Sequence, residues 1–169
     1  MAELWVIYDE EGNPTDKIMD KSDPGVWAKG IYHYGADVWI MNKENKLLIQ
    51  KRSPQKRLEP NVWSMTGGSV IYGEKPIETI VRESKEELGI DVNPDYLKFL
   101  IKFKTGNVWV EEYILRQEFD ISKLKFLEEE VSDAKWATWD EIESLENDGN
   151  FIKNRWPFVR NLIKKEIDL

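Results

Sequence analysis

The sequence predicts a mixed α/β fold in which helices cover a β-sheet, and three observations predict it. Short β-prone runs precede an acidic, helix-patterned segment in mid-chain, a second set of strands follows it, and the C-terminal stretch returns to helical spacing. The composition is that of a packed globular chain: 41% hydrophobic and 33% charged residues with eight tryptophans, which excludes a disordered segment. At 169 residues, with no internal repeat and no Pro/Gly/Ser linker, one domain over 1–169 is expected.

In chain order, "LWVIY" at Leu4–Tyr8 reads as a strand followed by a turn at Glu11–Thr15, so residues 1–30 form an N-terminal strand-and-turn extension. "YGADVWIM" (Tyr34–Met41) is apolar and β-prone, and "NKEN" turns it into a hairpin partner, "KLLIQKRS". A loop with Pro54 and Pro60 leads to a short strand, "VWSMT", before a pair of glycines. Beyond the acidic helix, Leu97–Lys104 and Val108–Arg116 flank "TGN", a second hairpin signal. "DAKWATW" is a last short strand, and the acid-rich segment after it is helical. Residues 154–167 form a C-terminal helix, amphipathic through Phe158, Leu162, Ile163 and Ile167. With Trp156 and Phe158 it can pack on its own sheet or on a second subunit, which leaves a homodimer open.

A net charge of −8 argues against nucleic acid or an anionic membrane as partner. A phosphate-bearing ligand would need a local basic patch or a bridging cation. The absence of cysteine removes disulfides, thiolate nucleophiles and cysteine zinc sites, and fits a reducing cytoplasm. The N-terminus lacks a signal-peptide pattern, and no apolar run nears the roughly 20 residues of a membrane span. A cytoplasmic protein with no membrane partner is expected.

The chemistry concentrates in "GSVIYGEKPIETIVRESKEELGI", Gly68–Ile90. Pro76 suits a first helical turn and Gly89 the residue after a helix end. Ile77, Ile80, Val81 and Leu88 recur at helical spacing, with Ser84 inside the stripe, where it can bond back to the carbonyl one turn earlier. Glu83, Glu86 and Glu87 stand at i, i+3 and i+4 on one arc, with Arg82 a single counter-charge for several acids. Adjacent carboxylates repel unless solvated, protonated or bound to cations, and hard oxygen ligands suit Mg²⁺ or Mn²⁺. "ESKEE" by itself reads as a solvated helix face. A Walker phosphate loop shares the glycine spacing of Gly68 and Gly73, but Glu74 and Lys75 replace its Lys and Ser/Thr.

The full spacing decides against the solvated face. Gly68, Glu74, Arg82, Glu83, Glu86, Glu87 and Gly89, closed by Ile90, resemble the signature of the Nudix hydrolase family. Seven fixed positions at about 7% frequency each give roughly 10⁻⁸ per starting point by chance. The one departure is Ser84 at an aliphatic position. "LLIQKRS", "VWSMTGG" and "EEEVSDAKW", over about residues 3–145, are similar to a branch of that family resembling isopentenyl-diphosphate isomerase.

The resemblance implies an α/β/α sandwich with a mixed β-sheet flanked by helices, and divalent-metal-dependent hydrolysis of a small diphosphate substrate, a nucleoside diphosphate linked to a moiety X. Carried over by position, Glu83, Glu86 and Glu87 with the carbonyl of Gly67 would hold Mg²⁺, with Mn²⁺ as a substitute. Gly68, Glu74, Arg82 and Gly89 would be structural. The general base stays open between a signature glutamate and a later carboxylate such as Glu130, with Glu111 and Glu112 as alternatives on opposite faces of a strand. Arg52, with Lys51 and Arg57, is a candidate for substrate phosphate against a merely solvated loop, and Trp63 for stacking a base against a place in the core. His33, the only histidine, matches a metal histidine of the isomerases in position, but a lone histidine beside a strand reads first as structural. Those isomerases also need a cysteine near Gly67, and there is none. A nucleotide-binding sensor without turnover is the alternative on the same fold.

Overall fold

The computed structural model describes residues 2–169; Met1, the first residue of the expected domain, lies outside them. The strands are β1 (Leu4–Tyr8), β2 (Pro14–Asp20), β3 (His33–Met41), β4 (Leu47–Arg52), β5 (Trp63–Ser64), β6 (Thr66–Ser69), β7 (Lys98–Thr105), β8 (Val108–Arg116) and β9 (Val131–Ala137). The helices are α1 (Pro76–Leu88), α2 (Trp139–Asn147) and α3 (Trp156–Ile167). β1 and β2 make a separate antiparallel hairpin; the main sheet runs β5-β4-β3-β8-β7, with β6 also on β3 and β9 also on β4. β3 and β8 are parallel and the other pairs antiparallel, so the sheet is mixed as expected.

Alternation along β3 sorts the core. Trp39 and Met41 face one side with Leu47, Ile49, Ile142 of α2, and Trp156, Val159 and Ile163 of α3. Ala36, Val38 and Ile40 face the other with Leu48, Leu115, and Ile80 and Leu88 of α1. All nine residues of β3 are buried, as a central strand paired in parallel and covered on both faces demands. Each large apolar side chain so enclosed contributes about 1.5–3 kcal/mol. Among the described residues no helix is long and apolar enough to cross a membrane.

The expected hairpin between β3 and β4 is nearly absent. Only Ile40↔Leu48 and Met41↔Leu47 pair before β4 turns away. β4 then takes β5 on one edge and β9 on the other, while β6 fills the vacated edge of β3 from Val38↔Thr66 to Gly35↔Ser69. The single strand read in "VWSMT" is therefore two strands on different partners, and Gly67 and Gly68 belong to β6. A cleft follows this divergence, and it positions the site.

Three further expectations are corrected. The turn at Glu11–Thr15 runs on into β2, which pairs with β1 through Trp5↔Met19 and Val6↔Ile18; β2 is almost wholly solvated and so lacks an apolar alternation. The apolar stripe of α3 is Trp156, Val159 and Ile163, at i, i+3 and i+7; Phe158 is 43% exposed and stacks on Phe103 at 4.0 Å. Ser84 is buried but its hydroxyl has no hydrogen-bond partner, so the back-bond to the preceding turn is not made.

Candidate active site

The helix carrying the acidic arc is held at both ends. Pro76 occupies its first turn, and Gly89 closes it at φ 69°, the left-handed conformation that a β-carbon disfavours. Arg82 then ties helix to loop. Its Nε donates to Glu74 Oε1 (2.6 Å), Nη2 to Glu74 Oε2 (3.1 Å) and to the Ser69 carbonyl (3.1 Å), and Nη1 to Glu83 Oε1 (2.8 Å). Thr79 Oγ1 also donates to Glu74, at 2.6 Å. Burial pushes the Glu74 carboxyl up, but these donors outweigh it and hold the pKa below its ordinary value.

The three helix carboxylates occupy unlike environments. Glu86 is half exposed and reached only by Arg82 Nη1 at 3.3 Å. Glu83 lies under β6 against Gly68, and burial raises its pKa to about 7 despite Arg82. Glu87 is 5% exposed and accepts from Gln50 Nε2 at 2.8 Å; burial, then the charge of Glu83, raises it to about 8. Gln50 is fixed in turn by Thr66 Oγ1, which donates to its amide oxygen at 3.0 Å.

Glu130 comes to the same place from the far end of the chain. The Leu127 N–H donates to the Glu87 carbonyl, and the Glu130 N–H to the Leu127 carbonyl, which docks this turn on the end of α1. The Glu130 carboxylate pairs with Lys56, and its charge adds to the rise at Glu87. Glu83, Glu87 and Glu130 thus share one field, with Glu86 at the rim. Among the described residues no three His, Asp or Glu side chains stand together closely enough, as placed, to hold a metal ion. The donor set nevertheless fits a divalent cation: hard carboxylate oxygens, two of them buried with too little compensating charge, beside a glycine whose missing β-carbon leaves Glu83 its space.

The cleft beside these acids encloses about 750 Å³. Gly67, Gln50, Arg52, Lys56, Arg57 and Glu130 line it, together with His33, Gly35, Asp37, Asn154, Arg155, Trp5 and Trp27. Arg52 lines the cleft, with its guanidinium donating to the carbonyls of Leu58 (2.9 Å) and Glu59 (3.1 Å) of its own loop. Trp63 does not line it. It pairs opposite Lys51, packs against the core under α3 and is covered by Lys135, outside the cleft lining. Glu111 also lies elsewhere, accepting from Tyr34 and Tyr113 on the α1 face.

Sequence reasoning named Glu112 but missed the buried cluster it forms beside the cleft with Asp37 and Arg155. Arg155 Nε donates to Asp37 Oδ2 at 2.6 Å and stands 3.6 Å from Glu112 Oε1, while Trp39 Nε1 donates to Glu112 Oε2 at 2.8 Å. Burial, then the neighbouring Asp37, raises the Glu112 pKa well above the usual range. One signal was present: Asp37 interrupts the apolar run of β3.

The family model of the NUDIX domain matches residues 31–162. The chain belongs to the Nudix family. An uncharacterized Nudix hydrolase of Listeria monocytogenes is 33% identical over 153 residues, covering 89% of this chain and 88% of its own. An isopentenyl-diphosphate Delta-isomerase of Citrobacter koseri is 29% identical over 142 residues, covering 80% and 77%. Among solved structures, DR0079 of Deinococcus radiodurans aligns with TM-score 0.75 at 24% identity over 96% of this chain and 98% of its own. A MutT protein of Methanosarcina mazei aligns at 0.60 and 21% identity, over 81% and 93%. The Nudix assignment makes this chain a hydrolase of phosphorus-containing anhydrides, and members of the family generally use divalent cations.

Proposed function

We propose that this Nudix protein hydrolyses the diphosphate linkage of a nucleoside diphosphate joined to a moiety X, by attack of water on phosphorus. The observation that carries the reading is that the charges of Glu83 and Glu130 both act on the buried Glu87, beside a cleft lined by Glu130, Arg52, Lys56 and Arg57. Glu83, Glu86 and Glu87, with the carbonyl of Gly67, would hold Mg²⁺ or Mn²⁺. A cation bound there supplies neutralising charge to the diphosphate and acidity to a bound water.

The chain's own groups do the rest. Arg52 and Lys56 offer charged donors to phosphate oxygens. Glu130, freed from Lys56 when that lysine turns to phosphate, would accept the proton of the attacking water. Arg82 and Glu74 keep the loop and helix in register and stay out of the reaction. A cytoplasmic setting accords with the lack of cysteine.

Phosphate release from a panel of nucleoside diphosphate derivatives, with Mg²⁺ and with Mn²⁺, tests the reading. Metal-dependent turnover that falls in Glu83→Gln and Glu87→Gln is expected; no turnover, or full activity in both variants, sinks it. The relatives named as isomerases favour a second reading, conversion of isopentenyl diphosphate to its allylic isomer. The missing cysteine opposes it, and formation of allylic product would establish it.

A further inference from the structure

One residue of the loop between β4 and β5 is held in a conformation that its chemistry disfavours. Glu59 has φ 45°, the left-handed region that a β-carbon resists. It also precedes Pro60, and a proline steers the residue before it toward extended backbone. Such a residue persists only where its surroundings hold it in place. Two sets of contacts do so here. The Glu59 carboxylate accepts from the backbone N–H of Lys153 at 2.6 Å and of Asn154 at 3.4 Å, just ahead of α3. The Glu59 carbonyl accepts from Arg52 Nε at 3.1 Å.

The guanidinium of Arg52 is fixed by this loop along one edge. Nε and Nη2 both donate to the Leu58 carbonyl, at 3.2 and 2.9 Å, beside the contact with Glu59. Nη1 has no protein partner among the described residues, and Arg52 lines the cleft. Burial lowers the pKa of this guanidinium against the charges of Glu87, Glu59, Asp37 and Glu130, so Arg52 stands within the field of the acidic set. The charge of Glu59 acts on Arg155 as well, a second arginine of the cleft wall. Glu59 itself is not among the residues that line the cleft. Its influence on a ligand therefore passes through its neighbours.

We infer that Glu59 is a positioning residue for phosphate binding: it holds the Leu58 and Glu59 carbonyls against one edge of the Arg52 guanidinium and leaves Nη1 free for a phosphate oxygen. The inference rests on the proposed role of Arg52 toward the diphosphate. An arginine side chain is long and flexible, and ordering it before the ligand arrives lowers the cost of binding. A planar fork held on two carbonyls keeps its orientation, and its charge-assisted bonds to phosphate depend on that orientation. A loop anchor alone is the competing role. It would set the stability of the fold and leave affinity for phosphate unchanged.

Calorimetric titration with inorganic pyrophosphate and Mg²⁺, on the wild type and on Glu59→Gly, tests this directly. The variant is expected to bind pyrophosphate about 10-fold more weakly. Its melting temperature should stay within a few degrees, since glycine adopts the left-handed backbone without strain. Glu59→Gln, which keeps an oxygen for the Lys153 N–H, should recover most of the lost affinity. In an Arg52→Gln background, Glu59→Gly should change affinity by less than about 2-fold, because a residue that acts through Arg52 then has nothing to position. Unchanged affinity in Glu59→Gly, or an equal loss in the Arg52→Gln background, overturns the inference. Should the glycine variant unfold, Glu59→Asn repeats the cycle, since asparagine tolerates that backbone and is too short to reach Lys153. A wild type that binds no pyrophosphate removes Arg52 as a phosphate donor, and the positioning role with it. Phosphate release from the nucleoside diphosphate panel separates the two readings. Weakened pyrophosphate binding without turnover removes hydrolysis and keeps the role of Glu59; turnover with unchanged binding does the reverse. Where turnover is present, the loss in Glu59→Gly should appear in KM more than in kcat, and the opposite split counts against the inference.

Discussion

Gly68 on β6 and Glu83 on α1 touch so closely that a β-carbon on the glycine would stand 2.5 Å from the Glu83 carboxyl carbon and 3.0 Å from its Cγ. The obstructing atoms are the end of a flexible side chain, which can swing away. Gly68→Ala should therefore fold, with a melting temperature a few degrees lower, while Glu83 leaves its place beside Glu87. Misplacing one such group by an ångström costs about 10²-fold in rate. Gly67→Ala is different in kind. Its β-carbon would meet the Ala36 carbonyl at 2.5 Å and the Asp37 Cα at 2.7 Å, and the backbone of a buried central strand cannot give way. Phosphate release and thermal melts of the two variants check the contrast: equal melting losses would show that Gly68 is needed for packing and not for Glu83.

Glu87 links stability to pH and to divalent cations. Its unfolded carboxyl titrates near the ordinary value of 4.5 and its folded one near about 8, so the folded state favours the protonated form. Stability from this group is complete below 4.5 and is lost as pH rises through 8, a change on the order of 5 kcal/mol. With chelator present, melting temperature should fall between pH 5 and 8 and fall less in Glu87→Gln. Millimolar Mg²⁺ should raise it more at pH 8 than at pH 6, since the cation stabilises the ionised carboxylate. A Mg²⁺ shift independent of pH would count against Glu87 as a ligand.

Arg155 is the one cation bonded to the buried Asp37–Glu112 pair among the described residues, and its guanidinium is itself nearly enclosed. Arg155→Met leaves two adjacent carboxyls in the core without compensation, a loss of about 3–5 kcal/mol. Urea unfolding should show it as a lowered midpoint with little change of slope. Adding Asp37→Asn should recover a substantial part. If the double variant is no more stable than the single one, the ion pair is not what Arg155 contributes.

The signature residues were legible because their chemistry is local. Seven positions within one loop and helix carry the pattern, and α1 closes at Gly89 where the glycine predicts it. The sandwich around them was legible in outline, since strand and helix periods are local too. Partner choice among strands was not. "VWSMT" looks continuous, and nothing in five residues says that its first half bonds β4 and its second half β3. Trp63 stayed open between base stacking and the core for the same reason: the face a residue takes depends on which strand it pairs with. The Asp37–Arg155 contact spans 118 residues, so no window of sequence contains it, although a lone carboxylate inside an apolar strand marked the position.

Glu74 offers the sharpest check on what the signature's outer residues contribute. It accepts from Arg82 twice, from Thr79 and from the Ile71 N–H, and it is not among the residues that line the cleft. Glu74→Gln keeps the shape but turns an amide NH₂ toward guanidinium donors, which trades two charge-assisted hydrogen bonds for a mismatch worth about 1.5–3 kcal/mol. The depressed folded pKa of Glu74 gives stability that is present above the unfolded value of 4.5 and is lost as pH falls through the folded one. The wild type should therefore lose stability on acidification below 4.5, and Glu74→Gln should be less stable at neutral pH and flatter across that acid window. Arg82, released from Glu74, would remain bonded to Glu83 and Glu86 and draw them from the cleft, so activity should fall as well. Melts from pH 3 to 7 with phosphate release at pH 7 read both effects. A variant that melts like the wild type across the range, yet has lost turnover, would place Glu74 in the reaction instead of in the frame that supports it.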